Sequence, residues 1–213
     1  MGRLLGRLAP VSGLAFLALL IVSFVISGNT PDSDARGADV IAFFQKHRNA
    51  QIATAIILAY ALVFGLIWAT TLRGYLRSRG GRDSFIAFGY AGYILFAVGI
   101  GALAAMTVAL SDTPGKLDAS AAQALNVLDN DTFFLFLAGM GAFMMGNGLA
   151  IALSGALPKW IGWVGFLIGV LAVTPVGWFA IFGVLSWTLV VSILIWLREW
   201  RGVGDATAGP AAA

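Results

Sequence analysis

The chain has 213 residues, 60% of them hydrophobic and 11% charged, with a mean hydropathy of +0.91. That composition excludes an ordinary soluble domain and leaves, by length, one membrane domain. The lack of any Cys excludes disulfides and thiol chemistry. The net charge of +3 is spread over short connecting segments, which excludes a nucleic-acid surface.

Five stretches lack Asp, Glu, Lys, Arg and His: 8–27, 50–72, 85–110, 132–158 and 160–197. A crossing takes about 20 apolar residues. The last stretch would run about 57 Å as one helix at ~1.5 Å per residue, nearly twice a ~30 Å hydrocarbon core. Thr174-Pro175-Val176-Gly177 supplies the break, since Pro removes a donor and Gly admits a turn. The predicted fold is therefore all-α, a polytopic transmembrane helical bundle occupying residues 1–200. Its six spans lie at about 8–27, 50–72, 85–110, 132–154, 160–173 and 178–197, and residues 201–213 form a disordered tail.

Span 1 follows Arg3 and Arg7 and ends in small residues, as a signal peptide does. Its apolar run exceeds the usual h-region of about 7–15 residues, so the expectation is a retained span. In the loop after it, Asp39–Arg48 predicts a short helix with Val40, Ile41, Phe43 and Phe44 on one face. Such a helix serves either as a lid over an outward cavity or as an element resting on the membrane surface. His47 is the only His, so no His-based metal cluster exists.

Spans 2 and 3 are joined by a loop carrying Arg73, Arg77, Arg79 and Arg82, which points to contact with anionic lipid headgroups. Along span 3 the small residues Ala97, Gly101, Ala105 and Ala109 recur every four positions, as Gly165 and Gly169 do in span 5. These stripes serve either internal seams or a homo-oligomer interface. Asp129, Asn130 and Asp131 precede span 4 and suit either an N-cap or a hard-cation site. Within span 4, Asn147 is the one amide, near Met140, Met144 and Met145. It acts as interhelical glue or, with Tyr60 and Tyr93, lines a small-molecule pocket. Trp160, Trp163, Trp178, Trp196 and Trp200 fall at the ends of spans 5 and 6, as an aromatic belt would.

Lys and Arg favour cytoplasmic segments. Arg3, Arg7, the 73–82 cluster, Lys159, Arg198 and Arg201 all fall on one side of a six-span path, and most Asp residues on the other. Both termini are thus expected inside. A shift of 81 residues pairs Asn49 with Asn130, Gly65 with Gly146 and Gly74 with Gly155, which suggests a decayed repeat of spans 2–3 and 4–5.

Leu128–Phe134, followed by Gly155-Ala156-Leu157-Pro158-Lys159-Trp160-Ile161-Gly162-Trp163, resembles a family of small bacterial six-span membrane proteins. That family is common in actinobacteria and has no assigned activity. Thr30-Pro31-Asp32 and the Val40–Arg48 segment extend the likeness over most of the chain. The resemblance implies a cytoplasmic membrane location and brings no catalytic residue.

An interior without ionisable groups argues against proton-coupled transport and catalysis. The expectation is a non-enzymatic binding, accessory or assembly component with no cofactor or metal. Its contacts would be membrane lipids and a membrane protein partner or second copy. The alternative is a transporter or channel for an uncharged or lipophilic molecule.

Overall fold

The computed structural model describes residues 11–112 and 116–207, with side chains as far as Glu199. All regular structure among the described residues is helical. In chain order the helices are α1 (Val11–Ser27), α2 (Gly37–Lys46), α3 (Arg48–Ser78), α4 (Asp83–Asp112), α5 (Ala119–Asp131), α6 (Phe133–Ser154), α7 (Lys159–Ala172) and α8 (Trp178–Thr207).

Four helical segments are long and apolar enough to cross a membrane: α3, α4, α6 with its lead-in from Ala119, and α8. The chain is a membrane protein on this ground. α1 and α7 are apolar but shorter, with 17 and 14 residues. At ~1.5 Å per residue they reach about 26 and 21 Å.

Helix ends follow local chemistry. Gly80 has φ 76°, and Gly81 N–H donates back to Leu76 O at 2.9 Å, closing α3 before the turn into α4. Gly155 ends α6 in the same left-handed conformation at φ 71°, which a side chain would disfavour. The break expected at 174–177 is present, with Gly177 N–H donating to Thr174 O between α7 and α8. α8 continues past Leu197 to Thr207, so residues 201–207 extend a helix where a tail was expected. Residues 208–213, residues 1–10 with Arg3 and Arg7, and the side chains of Trp200 and Arg201 lie outside what is described.

The apolar helices form a ring in which α1 packs on α3, α3 on α4, α4 on α6, α6 on α7, α7 on α8 and α8 on α1. α6 is the keystone, because its two flanks are glycine-lined. On one flank, a Cβ at Gly139 would lie 2.2 Å from Phe96 N, and one at Gly146 would lie 2.3 Å from Gly89 N of α4. On the other, Gly148 meets Phe166 N at 2.5 Å and Gly141 meets Gly169 O of α7 at 3.0 Å. Without side chains in between, backbones pack directly, the usual device of membrane helices.

The expected small-residue stripe on α4 is only partly such a seam. A Cβ at Gly101 would meet nothing within 4 Å, so that position looks away from the bundle. The α4 seam runs instead through Gly89, Gly92 and Gly99. In α7, both Gly165 and Gly169 are internal, facing Trp187 and Met145.

At one end of the ring, α2 and α5 pack on each other and, with Leu110 of α4, build a small second core from Val40, Phe44 and Ala122. Protein therefore covers the apolar face of the α2 segment. α5, in the second long loop, was not foreseen as a helix. Its N-cap Asp118 accepts from Ala121 N–H at 2.7 Å. The proposed repeat is not matched in geometry: Gly74 is helical where Gly155 is left-handed, and the paired helices differ in length, 31 and 30 residues against 22 and 14.

Candidate functional site

The ring has an interior and two ends, and each holds part of the predicted chemistry. Aromatic rings fill the interior. Trp187 and Phe143 both contact Trp68, Phe143 contacts Tyr93, and Tyr93 contacts Phe96, with centroids between 5.5 and 6.4 Å apart. Phe96 meets Phe136 at 6.3 Å, Phe136 meets Phe133 at 4.7 Å, and Phe133 stacks on Trp178 at 3.6 Å. This column runs along the bundle through α3, α4, α6 and α8 and ends on the exposed Trp178, at the end that carries the α2–α5 cap.

Tyr60, Tyr93 and Asn147 do not form a pocket. Tyr60 is 61% exposed on the outer surface of the ring. Tyr93 is buried and donates to Leu62 O at 2.8 Å. Asn147 is 3% exposed and donates to Phe143 O of its own helix at 2.8 Å, with its amide against Gly89. Its hydrogen bond therefore turns inward on α6, while its side chain fills the α4–α6 seam.

The cavity beside the column is apolar, about 30 Å³, bounded by Leu17 and Leu20 of α1, Phe96 and Ile100 of α4, Met140 of α6 and Leu185 of α8. Two polar atoms are orphaned among the described residues in the interior, Trp68 Nε1 and Ser192 Oγ. Both lie against Gly13, where a Cβ would come within 2.6 and 2.2 Å of them.

At the capped end, polar side chains bind segments together. Gln51, 1% exposed, donates through Nε2 to Ser27 O at 2.9 Å and closes the end of α1. Asn126 donates to Asp32 O at 2.8 Å and Asn130 to Pro31 O at 3.3 Å, which holds the α1–α2 link against α5. Arg48 bridges to Asp112 at 2.6 Å across α3 and α4. Asp129, Asn130 and Asp131 lie in the last turn of α5, so they do not cap α6; Thr132 holds that position and makes no side-chain cap. Asp129 Oδ1 is buried without a partner, and burial pushes its carboxyl up to about 6. Asp131 is exposed, and no group of three or more metal-ligating His, Cys, Asp or Glu residues occurs among the described residues.

The opposite end is basic, and Arg73, Arg77, Arg79 and Arg198 are individually held there. Arg73 lies 4.8 Å from the Tyr90 ring centre, and Arg77 pairs with Asp83 at 2.7 Å. Arg79 lies 5.3 Å from the Tyr75 ring centre. Arg82 is exposed. Tyr75 is itself buried and donates to Ala156 O at 3.2 Å, and Arg198 Nη1 donates to that carbonyl at 2.5 Å and to Tyr75 Oη at 3.4 Å. Three segments, α3, the α6–α7 link and α8, thus meet at one tyrosine.

No protein-family model, curated protein or solved structure matches the chain.

Sequence reasoning found the basic loop but missed Tyr75, Arg198, Gln51 and Asn126. Gln51 and Asn126 carried a readable signal, since an amide beside an apolar run needs a partner. The meeting of Tyr75 with Arg198 had none, because it depends on contacts across 123 positions.

Proposed function

We propose that the chain is a six-span protein of a bacterial cytoplasmic membrane with both termini inside, acting as a non-enzymatic binding, accessory or assembly component. The aromatic column carries this reading. A conduit for solutes needs a polar or hollow path, and here the axis is occupied by closely packed rings. The small cavity beside it is apolar and holds no polar contact for a substrate. Orientation follows from charge: Arg73, Arg77, Arg79, Arg82, Lys159 and Arg198 lie at one end and Asp32, Asp34, Asp39, Asp112 and Asp118 at the other.

On this reading α1 and α7 cross the bilayer as short spans among longer neighbours, which tilting and local thinning accommodate. The basic end sits at the depth of inner-leaflet headgroups, and the α2–α5 cap faces outward. The glycine-open surface around Gly101 is where a second copy or a membrane protein partner would pack.

Two measurements test the reading. Proteoliposomes should shrink and recover in glycerol at the rate of protein-free vesicles; faster recovery in step with protein content would overturn the accessory role. The chain has no Cys, so single Cys residues report topology cleanly. A membrane-impermeant maleimide should label Ser120→Cys on intact cells and leave Ser78→Cys unlabelled until the membrane is opened. The reverse pattern would invert the orientation.

A further inference from the structure

Among the described residues, the basic end contains cations that pair with no carboxylate. Asp83 is taken by Arg77. Among the described residues no ion pair joins Arg79, Arg198 or Lys159 to an acid. Arg79 and Arg198 nevertheless gather at one fixed point, Tyr75. The first lies over the ring and the second reaches the hydroxyl, and the hydroxyl is itself fixed on Ala156 O. Lys159 opens α7 three positions beyond Ala156.

Two like charges brought to one buried residue repel each other, and a shared anion relieves that repulsion. A guanidinium has five N–H donors in a planar fork. Arg198 commits one nitrogen, Nη1, to Ala156 and Tyr75, which fixes the plane while other donors remain for a second partner. The fork suits the oxygens of a phosphate, often two at a time.

We propose that Arg79 and Arg198, positioned by Tyr75 and assisted by Lys159, form a phosphate site at the basic end. The ligand is a phosphomonoester or phosphodiester group, carried either by an anionic lipid headgroup or by free phosphate. The inference rests on the membrane reading above, with this end at headgroup depth, where basic pockets between helices collect anionic headgroups. It goes beyond general attraction to the Arg73–Arg82 loop. Arg77 is paired with Asp83 and Arg73 lies alone over Tyr90, whereas Arg79 and Arg198 share one tyrosine, so the selective contacts fall to the pair at Tyr75.

The test uses the purified full chain in a zwitterionic detergent. It is titrated separately with phosphatidylglycerol, phosphatidylcholine and inorganic phosphate, and bound lipid is counted by native mass spectrometry. Phosphatidylglycerol should bind with a preference over phosphatidylcholine. Each of Arg79→Gln and Arg198→Gln should weaken it about fivefold, and the double variant about 25-fold, from the usual contribution of one basic residue near a headgroup.

Arg73→Gln and Arg77→Gln should weaken binding by much less. Inorganic phosphate that displaces the lipid would identify the phosphate alone as the recognised group. Failure to displace it would assign recognition to the lipid-borne phosphodiester, and both results support the site. Equal losses from all four arginine variants would reduce the site to a diffuse basic belt and overturn it, as would the absence of any preference for phosphatidylglycerol. Arg79→Gln leaves the Ala156 anchor intact and keeps the test sound if Arg198→Gln misfolds. Solute flux in proteoliposomes would sink the accessory role and leave this result standing, so the two failures are distinguishable.

Discussion

The glycine flanks of α6 make the sharpest stability prediction. In Gly139→Ala the new methyl would sit 2.2 Å from Phe96 N and 2.6 Å from Phe96 Cα, both backbone atoms that cannot rotate away. Ordinary contact begins at 3.4 Å, so α4 and α6 must separate by about 1.2 Å there. Overpacking of this kind costs typically about 1–3 kcal/mol. The Ala gains up to about 1 kcal/mol of helix propensity, which offsets part of that cost. Displacement also loosens the Phe96–Phe136 edge contact at 6.3 Å next to the seam. The net expectation is a loss of about 1–2 kcal/mol. Gly101→Ala is the control, since its methyl meets nothing within 4 Å and only the propensity gain remains. Thermal unfolding in detergent, or unfolding by graded addition of SDS, should lower the midpoint for Gly139→Ala and leave or raise it for Gly101→Ala. Equal midpoints for the two variants would refute the direct backbone packing of α4 and α6.

Three further outcomes follow from the same structure. The carboxyl of Asp129 is pushed up from 3.8 to about 6 by burial, so folding favours its protonated form; its contribution to stability is full below about 4 and is lost as pH rises through about 6. Between pH 4 and 6 the stability of the cap should therefore fall by on the order of 2 kcal/mol in the native chain, and Asp129→Asn should flatten that slope; amide exchange of α2 and α5 reads it, and an unchanged slope in the variant would contradict the assignment. Phe44→Ala removes a side chain 1% exposed in the small outer core and should cost the cap about 3 kcal/mol or more, opening α2 to proteolysis while the apolar ring stays folded. Asp112→Asn breaks the exposed bridge to Arg48 and should shift stability by no more than about 1 kcal/mol, because solvent screens such pairs.

The helical class and most helix ends were legible because they depend on one dimension. Runs without charge, and the Gly and Pro that end them, are local facts, and the turn at 174–177 lies where Pro175 and Gly177 put it. Seams are not local. Gly139 and Gly146 share one flank of α6 and Gly141 and Gly148 the other, each pair seven positions apart, and nothing in either spacing says which neighbour it meets. The four-residue repeat on α4 does not mark its internal seam, where Gly92 and Gly99 are also seven apart and Gly101 looks outward. Asp129–Asp131 misled for a related reason. The same carboxylates suit a helix start by propensity, yet α5 ends there, since Asp118 had already capped a helix one loop earlier.

The uncharged interior takes on a different meaning once its contents are known. Read as composition, it removes the ionisable groups that drive ion coupling, yet it permits a hollow apolar or weakly polar path. Two features occupy that interior. Trp68, Phe143 and Trp187 meet within 6.4 Å of one another, and the seams on both flanks of α6 leave backbone against backbone. Opening a passage would require separating seams that the Gly139→Ala experiment measures. A protein built this way keeps its adjustable chemistry at its two ends, at the half-buried Asp129 of the cap and at the arginines around Tyr75. Those ends are where binding to lipids or partners should be sought.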